Sequence, residues 1–484
     1  NYYLTSERFL DEACERYPGF HTNMADGQCY VDLEAVRVRA SGMGGPEMLL
    51  REAWERYRLP IALTEVHNGC TREEQLRWLH ELWQAAHTLA RDGVDLRAVT
   101  VWSLLGAYDW NTLVRRAEGY YEPGVFDLRA PSPRPTILAQ YVRAVASGRE
   151  FNHPALNVPG WWHRPLRLIF DHAVEDSGQR VRPPAALAQR DVPITTARPI
   201  LIAGATGTLG QVFARLCEVR GLPYRLMTRQ ELDIADLDSV QTALAELRPW
   251  AIVNAAGYVR VDEAEQDRER CYRENADGPA LLADACAGHG IQLLTFSSDL
   301  VFDGAQRTPY VESTTVAPLN VYGGSKAAAE ARVLAALPGA LVVRTSAFFG
   351  PWDRYNFITG SLRALASGER IMAAEDTLIS PTYAPDLAHA CLDLLLDGAD
   401  GIWHLANVGA ISWADLARQA AEMAGLDASG VVGCAMADLG LAAPRPRYGV
   451  LGSERAALLP ALDDALQRYL DHCDETLWRQ ARVR

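Results

Sequence analysis

Pro199-Ile200-Leu201-Ile202-Ala203-Gly204-Ala205-Thr206-Gly207-Thr208-Leu209-Gly210-Gln211 is an apolar strand that opens into a glycine-rich turn and then into a helical run. Each glycine answers a different steric demand. The first permits the tight turn, the second lets backbone N–H groups approach a pyrophosphate, and the third lets the helix lie close on its strand. The N-terminus of the following helix presents unpaired donors and a partial positive charge to the phosphates. The strand before the turn and the helix after it distinguish this stretch from an ordinary glycine-rich loop, and predict a dinucleotide site.

Outward from this turn, strands and helices alternate. Strands are predicted at Pro199 to Ala203, Tyr224 to Thr228, Ala251 to Asn254, Gln292 to Ser297 and Leu341 to Arg344. The pattern predicts an α/β fold, a doubly wound parallel Rossmann sheet over residues 199–484. The last hundred or so residues, with Pro381-Thr382-Tyr383, Asp386-Leu387-Ala388 and Gly401-Ile402-Trp403-His404-Leu405, are expected to form a small substrate lobe. At the end of the second strand an NAD site usually places an acid for the ribose 2′-hydroxyl, and this chain has Thr228-Arg229. Arg229 can meet a 2′-phosphate, so NADPH is the favoured cofactor and NADH the alternative. Asp233-Ile234 is expected by the adenine, and Ala255-Ala256-Gly257 beside the middle of the cofactor.

Tyr322-Gly323-Gly324-Ser325-Lys326 follows Ser297-Ser298-Asp299 at a strand end. Positions four apart share a helix face, so Lys326 is expected beside Tyr322, where its cation favours the phenolate. Ser298 is expected to hold a substrate carbonyl while Tyr322 supplies the proton that follows hydride transfer.

Composition limits the alternatives. The chain has 484 residues, 49% hydrophobic and 22% charged, enough for two or three domains. A net charge of -14 argues against nucleic acid as a partner. No apolar run of 18 or more residues and no signal peptide are visible, so no membrane partner is expected. The chain begins at Asn1, without methionine, in what reads as a strand, so an upstream portion is expected. Nine scattered cysteines, none in a C-x-x-C pair, suggest a reducing cytoplasm.

Residues 1–148 alternate helical stretches with short apolar strands, and Thr71-Arg72-Glu73-Glu74 reads as a capping box. Asn1-Tyr2-Tyr3, Leu63-Thr64-Glu65-Val66-His67-Asn68-Gly69, Val101-Trp102-Ser103-Leu104 and Asp109-Trp110 resemble the last three strands of a family 1 glycoside hydrolase barrel. The resemblance implies a partial (β/α) barrel with Glu65 at the nucleophile position, and Tyr3, Trp102, Asp109 and Trp110 lining a sugar subsite. The family's acid/base glutamate lies on a fourth strand that this chain does not contain, and Val66-His67 replaces the usual Asn-Gly after the nucleophile. The implied site is therefore vestigial, because retaining hydrolysis needs two carboxyl groups. Residues 149–198 read as a linker, with one apolar patch docked at Leu166 to Phe170.

Gly204 to Gly210, Asn254-Ala255-Ala256-Gly257-Tyr258, Val261-Asp262-Glu263-Ala264-Glu265, Asn275-Ala276-Asp277, Ser297 to Gly304, Pro318-Leu319-Asn320-Val321-Tyr322-Gly323 and Pro381-Thr382-Tyr383 resemble the dTDP-4-dehydrorhamnose reductases, extended short-chain dehydrogenases. The resemblance implies NADPH-dependent reduction of a 4-keto-6-deoxy sugar nucleotide, with a dTDP-sugar as the partner molecule. Its catalytic set is Ser298, Asp299, Tyr322 and Lys326. Its cofactor set is Gly204, Thr206, Gly207, Thr208, Leu209, Gly210, Arg229, Asp233, Ile234, Ala255, Ala256 and Gly257, with Tyr322 and Lys326. Arg344 and Arg445 are implied diphosphate contacts. Asp262 and Glu263 match acids near metal-linked homodimer contacts in that family; no metal ligand is assigned from them, and a role for Mg stays open. Two rivals also stay open: an epimerase or dehydratase on the same fold, and a non-catalytic dinucleotide-binding subunit resembling that of methionine adenosyltransferase.

Overall fold

Asp26-Gly27, with φ of 50° and 76°, turns the chain between β2 (Thr22–Ala25) and β3 (Gln28–Glu34). Together with β1 (Arg8–Asp11) these strands form an antiparallel sheet in the order β1-β3-β2. An Asp-Gly pair suits such a turn because both central residues need positive φ. Val31 and Leu33 alternate onto one face and pack with Tyr17 and Phe170. Cys14, in the helical turn after β1, and Cys29, in β3, are joined in a disulfide, a pairing that the expectation of reduced cysteines did not include. Their spacing carries no sign of it, since the meander brings them together.

The computed structural model describes residues 1–170, 197–353 and 355–473. They fall into two compact units, one of Asn1–Leu128 with Pro133–Ala197, the other of Arg129–Ser132 with Arg198–Arg484. In the first unit α1 (Gly45–Tyr57) precedes β4 (Ile61–Val66), α2 (Arg72–Arg91) and β5 (Leu96–Val101). β4 and β5 pair in parallel, so α2 is the crossover of one β-α-β unit. Strands therefore stand at two of the three stretches where the sequence predicts them. Residues 1–3 are a correction: Tyr3 N–H donates to Ser6 Oγ at 2.8 Å and Ser6 N–H returns to Tyr3 O at 2.9 Å, a closed turn in place of a strand.

The capping box is a second correction. The Thr71 hydroxyl donates to Glu73 Oε1 at 2.5 Å instead of capping a backbone N–H, and Glu74 is drawn into a buried pair with Arg77 at 2.7 Å. Residues 149–170 are a third, because they are docked where a linker was expected. Arg77 Nε donates to Ala155 O at 2.8 Å, Trp162 Nε1 to Glu81 at 2.8 Å, and Trp162 lies edge-on to Trp78 with centroids 5.2 Å apart. Of the apolar side chains in the expected patch only Phe170 is buried, while Leu166 and Ile169 are exposed. The rest of the linker reading, residues 171–196, lies outside the described residues. After α3 (Ile137–Ala146), the first unit adds only short helical turns over the described residues.

The second unit is built on a six-stranded parallel sheet. Its strands are β6 (Ile200–Ala203), β7 (Tyr224–Met227), β8 (Ala251–Asn254), β9 (Gln292–Ser298), β10 (Leu341–Thr345) and β11 (Gly401–His404), in the order β7-β6-β8-β9-β10-β11. The helices α4 (Thr208–Arg220), α5 (Leu237–Leu247), α6 (Arg268–Tyr272), α7 (Gly278–His289), α8 (Val321–Ala336) and α10 (Ala384–Leu396) lie among them in sequence. β6, β8 and β10 are buried throughout, which is why they read as continuous apolar runs. Leu201, Ile252, Leu293 and Val342 pack with Val240, Leu244 and Leu282 from α5 and α7.

β11 and α10 correct the expected lobe. Gly401 to His404 is the sixth strand of the sheet, and α10 packs beside α4, tied by Arg220 to Asp393 at 2.7 Å. The smaller lobe retains α9 (Phe357–Ala366), α11 (Trp413–Met423), α12 (Leu462–His472) and several two- to four-residue strands. Its core joins Phe349, Ile358, Leu362, Leu416, Leu466 and Tyr469. Among the described residues no helix is long and apolar enough to cross a membrane.

Candidate active site

The chain crosses from one side of β6 to the other between β7 and β8, and the glycine-rich turn sits at that reversal, at the carboxyl end of β6. Ligands of open α/β sheets bind in this crevice. Gly204 has φ of 103°, and a Cβ there would lie 2.8 Å from the Ala255 carbonyl. At Gly210 a Cβ would meet the Gly204 oxygen at 2.2 Å, so this glycine sets how closely α4 approaches its strand. Gly207 differs, because a Cβ there would be no nearer than 3.5 Å to the Gly204 oxygen and 4.0 Å to the Ala255 oxygen, ordinary contact distances. It caps α4 without any side-chain hydrogen bond, leaving the first-turn amides of Thr208, Leu209 and Gly210 available to an anion. Thr206 beside it is exposed. A dinucleotide pyrophosphate fits this cradle.

Past β7, Arg229 is more than half exposed and its guanidinium meets Glu274 at 2.8 Å and Asp233 at 3.5 Å. Asp233 also accepts from Arg273 at 3.1 Å, and Ile234 is buried against Gly278. Ala255, Ala256 and Gly257 leave β8 beside Gly204, with Ala256 N–H held by Asn254 Oδ1 at 3.3 Å. A Cβ at Gly257 would meet Asn275 Oδ1 at 2.7 Å and Lys326 Nζ at 3.5 Å, so this loop lies close to the lysine.

Ser298 ends β9, and α8 brings Tyr322 to it. Asn320 Oδ1 caps α8 by accepting from Gly323 N–H at 2.7 Å, and Glu265 accepts from Val321 N–H at 2.8 Å. A Cβ at Gly323 would fall 2.1 Å from the Leu300 carbonyl, so a glycine here lets the helix touch the turn that follows Ser298. The Tyr322 phenol is then within hydrogen-bond reach of the Ser298 hydroxyl. Ser298 Oγ donates to Asp299 Oδ1 at 2.8 Å and accepts from Leu300 N–H at 3.1 Å. Asp299 Oδ2 accepts from Ser346 Oγ at 2.8 Å. Burial pushes the Asp299 carboxyl up to about 6, against these donors.

The relation of Tyr322 to Lys326 differs from the sequence expectation. Lys326 Nζ lies 5.7 Å from the Tyr322 ring centre and donates to the Phe296 carbonyl at 3.3 Å. Burial dominates both groups: it raises the Tyr322 phenol above its ordinary value, with Asp299 adding to the shift, and draws the Lys326 ammonium down to about 8. Tyr322 is thus kept protonated, the form that a reduction needs.

Arg344, implied as a diphosphate contact, is instead occupied by an internal partner. It is buried, with Nε 2.8 Å from Glu330 Oε1 and Nη2 2.6 Å from Glu330 Oε2, and its Nη1 faces His404 Nε2 at 3.1 Å. Residue 344 stands beside Ser297 in the ladder, and the Ser297 hydroxyl meets the same carboxylate. Arg445 meets Asp262 at 2.8 Å and the Ala443 carbonyl at 2.7 Å. Asp262 also accepts from Ala443 N–H at 2.9 Å, so its charge is matched by an arginine. Among the described residues no group of three or more His, Cys, Asp or Glu side chains could hold a metal ion.

In the first unit Glu65 accepts from the Tyr3 hydroxyl and from Asn1 Nδ2 at 2.9 Å. Trp102 lies 5.2 Å from Trp110 and 4.8 Å from His67, ring centre to ring centre. Asp109 holds the N–H groups of Glu118 and Tyr120, both at 3.0 Å, and so organises its own loop.

Sequence reasoning missed Ser346, Glu330 and Ser325. Ser325 is fully buried, accepts from Asn275 Nδ2 at 3.0 Å and donates to Tyr322 O at 2.6 Å. Ser346 follows the end of β10 as Asp299 follows β9, a strand-end position that could have marked it.

The RmlD substrate binding domain family matches residues 198–478. A dTDP-4-dehydrorhamnose reductase of Mycolicibacterium smegmatis is 38% identical over 317 residues, covering 64% of this chain and 91% of that protein. A dTDP-4-keto-6-deoxy-D-glucose reductase of Streptomyces niveus is 36% identical, covering 52% of this chain and 88% of that protein. The crystal structure of a dTDP-4-dehydrorhamnose reductase from Bacillus anthracis in complex with NADP superposes with a TM-score of 0.54 at 30% identity, over 57% of this chain and 99% of that one.

Proposed function

The chain belongs to the RmlD substrate binding domain family, and from that premise we propose that its second unit reduces the 4-keto group of a dTDP-linked 6-deoxy sugar with NADPH, dTDP-4-dehydro-L-rhamnose giving dTDP-L-rhamnose. One observation carries the reading: Ser298 and Tyr322 meet at the carboxyl end of β9, with Lys326 one helical turn on, beside a glycine cradle shaped for a dinucleotide. A bound nicotinamide cofactor would supply the hydride for the keto carbon. Tyr322 donates its proton to the oxygen as negative charge develops there. Lys326 fixes the floor of the site through the Phe296 carbonyl, and the amides opening α4 hold the pyrophosphate. Loss of NADPH absorbance with a panel of keto-sugar nucleotides tests the reading. A burst of NADPH oxidation with the dTDP-4-keto sugars alone supports it. An epimerised or dehydrated product, or NADPH binding without turnover, would assign the chain to one of its rivals.

Arg229 is proposed to select NADPH. Glu274 and Asp233 hold its guanidinium at the end of β7, where a 2′-phosphate can add a charge-assisted contact. Arg229→Ala is expected to shrink the preference for NADPH over NADH by about tenfold, the value of roughly 1.5 kcal/mol for such a contact. Titration of both cofactors by fluorescence checks this, and equal affinities in the parent protein would sink it.

A further inference from the structure

The Ser298 hydroxyl has one proton and two lone pairs. One lone pair takes the Leu300 N–H at 3.1 Å. The proton has two claimants, Asp299 Oδ1 at 2.8 Å and the Tyr322 oxygen, and the keto oxygen of a bound substrate would be a third. If Asp299 is ionised, it takes that proton and Ser298 has none to offer a substrate. A proton on Asp299 reverses the contact. The acid then donates to the second lone pair of Ser298, the Ser298 proton is released towards substrate, and the other carboxyl oxygen still accepts from Ser346 at 2.8 Å. In this arrangement each donor and acceptor around Ser298 has a partner.

We propose that Asp299 is a positioning residue that works as the protonated acid, donating to Ser298 Oγ so that the Ser298 proton points at the substrate's keto oxygen, with Ser346 holding the far oxygen of the carboxyl group. This inference rests on the reductase reading of the same site. Burial favours the neutral form of Asp299, against the hydroxyl and backbone N–H donors around it. It is buried, and its far oxygen lies against Gly449, where a Cβ would come within 2.9 Å of Oδ2. Facing it are the hydroxyls of Ser298 and of Ser346 from the end of β10, the backbone N–H groups of Asp299 and Leu300, the Gly449 backbone from the short strand Tyr448–Gly449, and the titratable phenol of Tyr322 from α8. The ammonium of Lys326 is turned to the Phe296 carbonyl, and the charge of Arg344 is matched by Glu330. Burial outweighs the donors and pushes the carboxyl up to about 6. No proton is consumed at Asp299: hydride and the Tyr322 proton reduce the ketone, and solvent restores the phenol.

The test is the pH dependence of turnover in the parent and in Asp299→Asn, whose amide donates permanently to Ser298 and accepts from Ser346. Parent turnover is expected to fall by about tenfold between about pH 6 and about pH 7.5, as a single deprotonation requires. The variant should stay flat, so that it overtakes the parent at the higher pH. Titration of Lys326 acts on both proteins and cancels in their ratio. Asp299→Ala, which leaves the Ser298 lone pair without a donor, should be slow throughout. Ser346→Ala removes a donor to the carboxylate and should move the parent's fall to higher pH by about one unit, a shift that loss of packing alone would not give. Parallel profiles for parent and Asp299→Asn, or an inactive Asp299→Asn that still binds NADPH, would overturn the proposal. An independent readout is the infrared band of a protonated carboxyl group in the parent minus the Asp299→Asn variant, present near pH 5.5 and lost near pH 8. Its absence overturns the inference even where turnover is seen. Its presence without turnover on any keto sugar upholds the protonated acid and sends the reductase reading down instead.

Discussion

Tyr322→Phe is expected to lower turnover by about 10²- to 10⁴-fold while NADPH binding stays near that of the parent. The phenol is the group that α8 brings to Ser298, and burial keeps its proton in place. Removing the oxygen leaves the hydride acceptor with no positioned acid at the moment its oxygen becomes an alkoxide. The ring itself is retained, so the contacts of α8 with the turn after Ser298 should survive. Steady-state NADPH oxidation and a binding titration on the same preparation separate the two effects, and kcat should fall with little change in KM. A variant that turns over within about threefold of the parent would remove Tyr322 from the reaction.

Glu330→Ala should be the most destabilising single change at the site, by about 3–5 kcal/mol. Glu330 receives both arms of Arg344, and each partner is nearly inaccessible to solvent, so its loss would strand a guanidinium in the interior. The pair also joins α8 to β10 one helical turn beyond Lys326, so turnover should fall together with stability. For a unit of this size each kcal/mol lowers the melting temperature by about 2–4 °C, which places the drop on the order of 10 °C. Glu330→Gln retains an acceptor and should lose less. The double change Glu330→Leu with Arg344→Met removes both charges and should recover much of the loss, since the penalty is the uncompensated charge and not the missing contact. Calorimetric melting of the four proteins would decide it, and a Glu330→Ala protein within about 1 kcal/mol of the parent would mean that water or another group reaches Arg344.

The dinucleotide cradle was legible because its causes are local. Gly204 needs positive φ, Gly210 must let a helix approach, and the residues that enforce both lie within one turn of chain or on the adjacent strand. The Tyr322–Lys326 spacing was legible in the same way, but its electrostatics were not. The expected phenolate assistance considered only the charge of the lysine beside the phenol, whereas burial governs both groups and the lysine donates to the Phe296 carbonyl. Arg344 was misread for a related reason: an arginine on a strand beside a catalytic serine looks like an anion contact until the opposite helix supplies Glu330.

The sequence by itself determined the parallel Rossmann-like sheet, five of its six strands to within a residue or two, the glycine turn, and the placing of a serine, a tyrosine and a lysine at one candidate site. These follow from side-chain period, glycine stereochemistry and helical spacing, all of which act over a few residues. Only the tertiary structure decided that Gly401 to His404 completes the sheet, that residues 149–170 dock on α2, that Cys14 meets Cys29, and that Ser346 holds Asp299 while Asp299 holds Ser298. Ser346 lies 47 residues from Asp299 along the chain. Such pairings are set by the field and the desolvation that an assembled interior imposes, and no short stretch of sequence carries them.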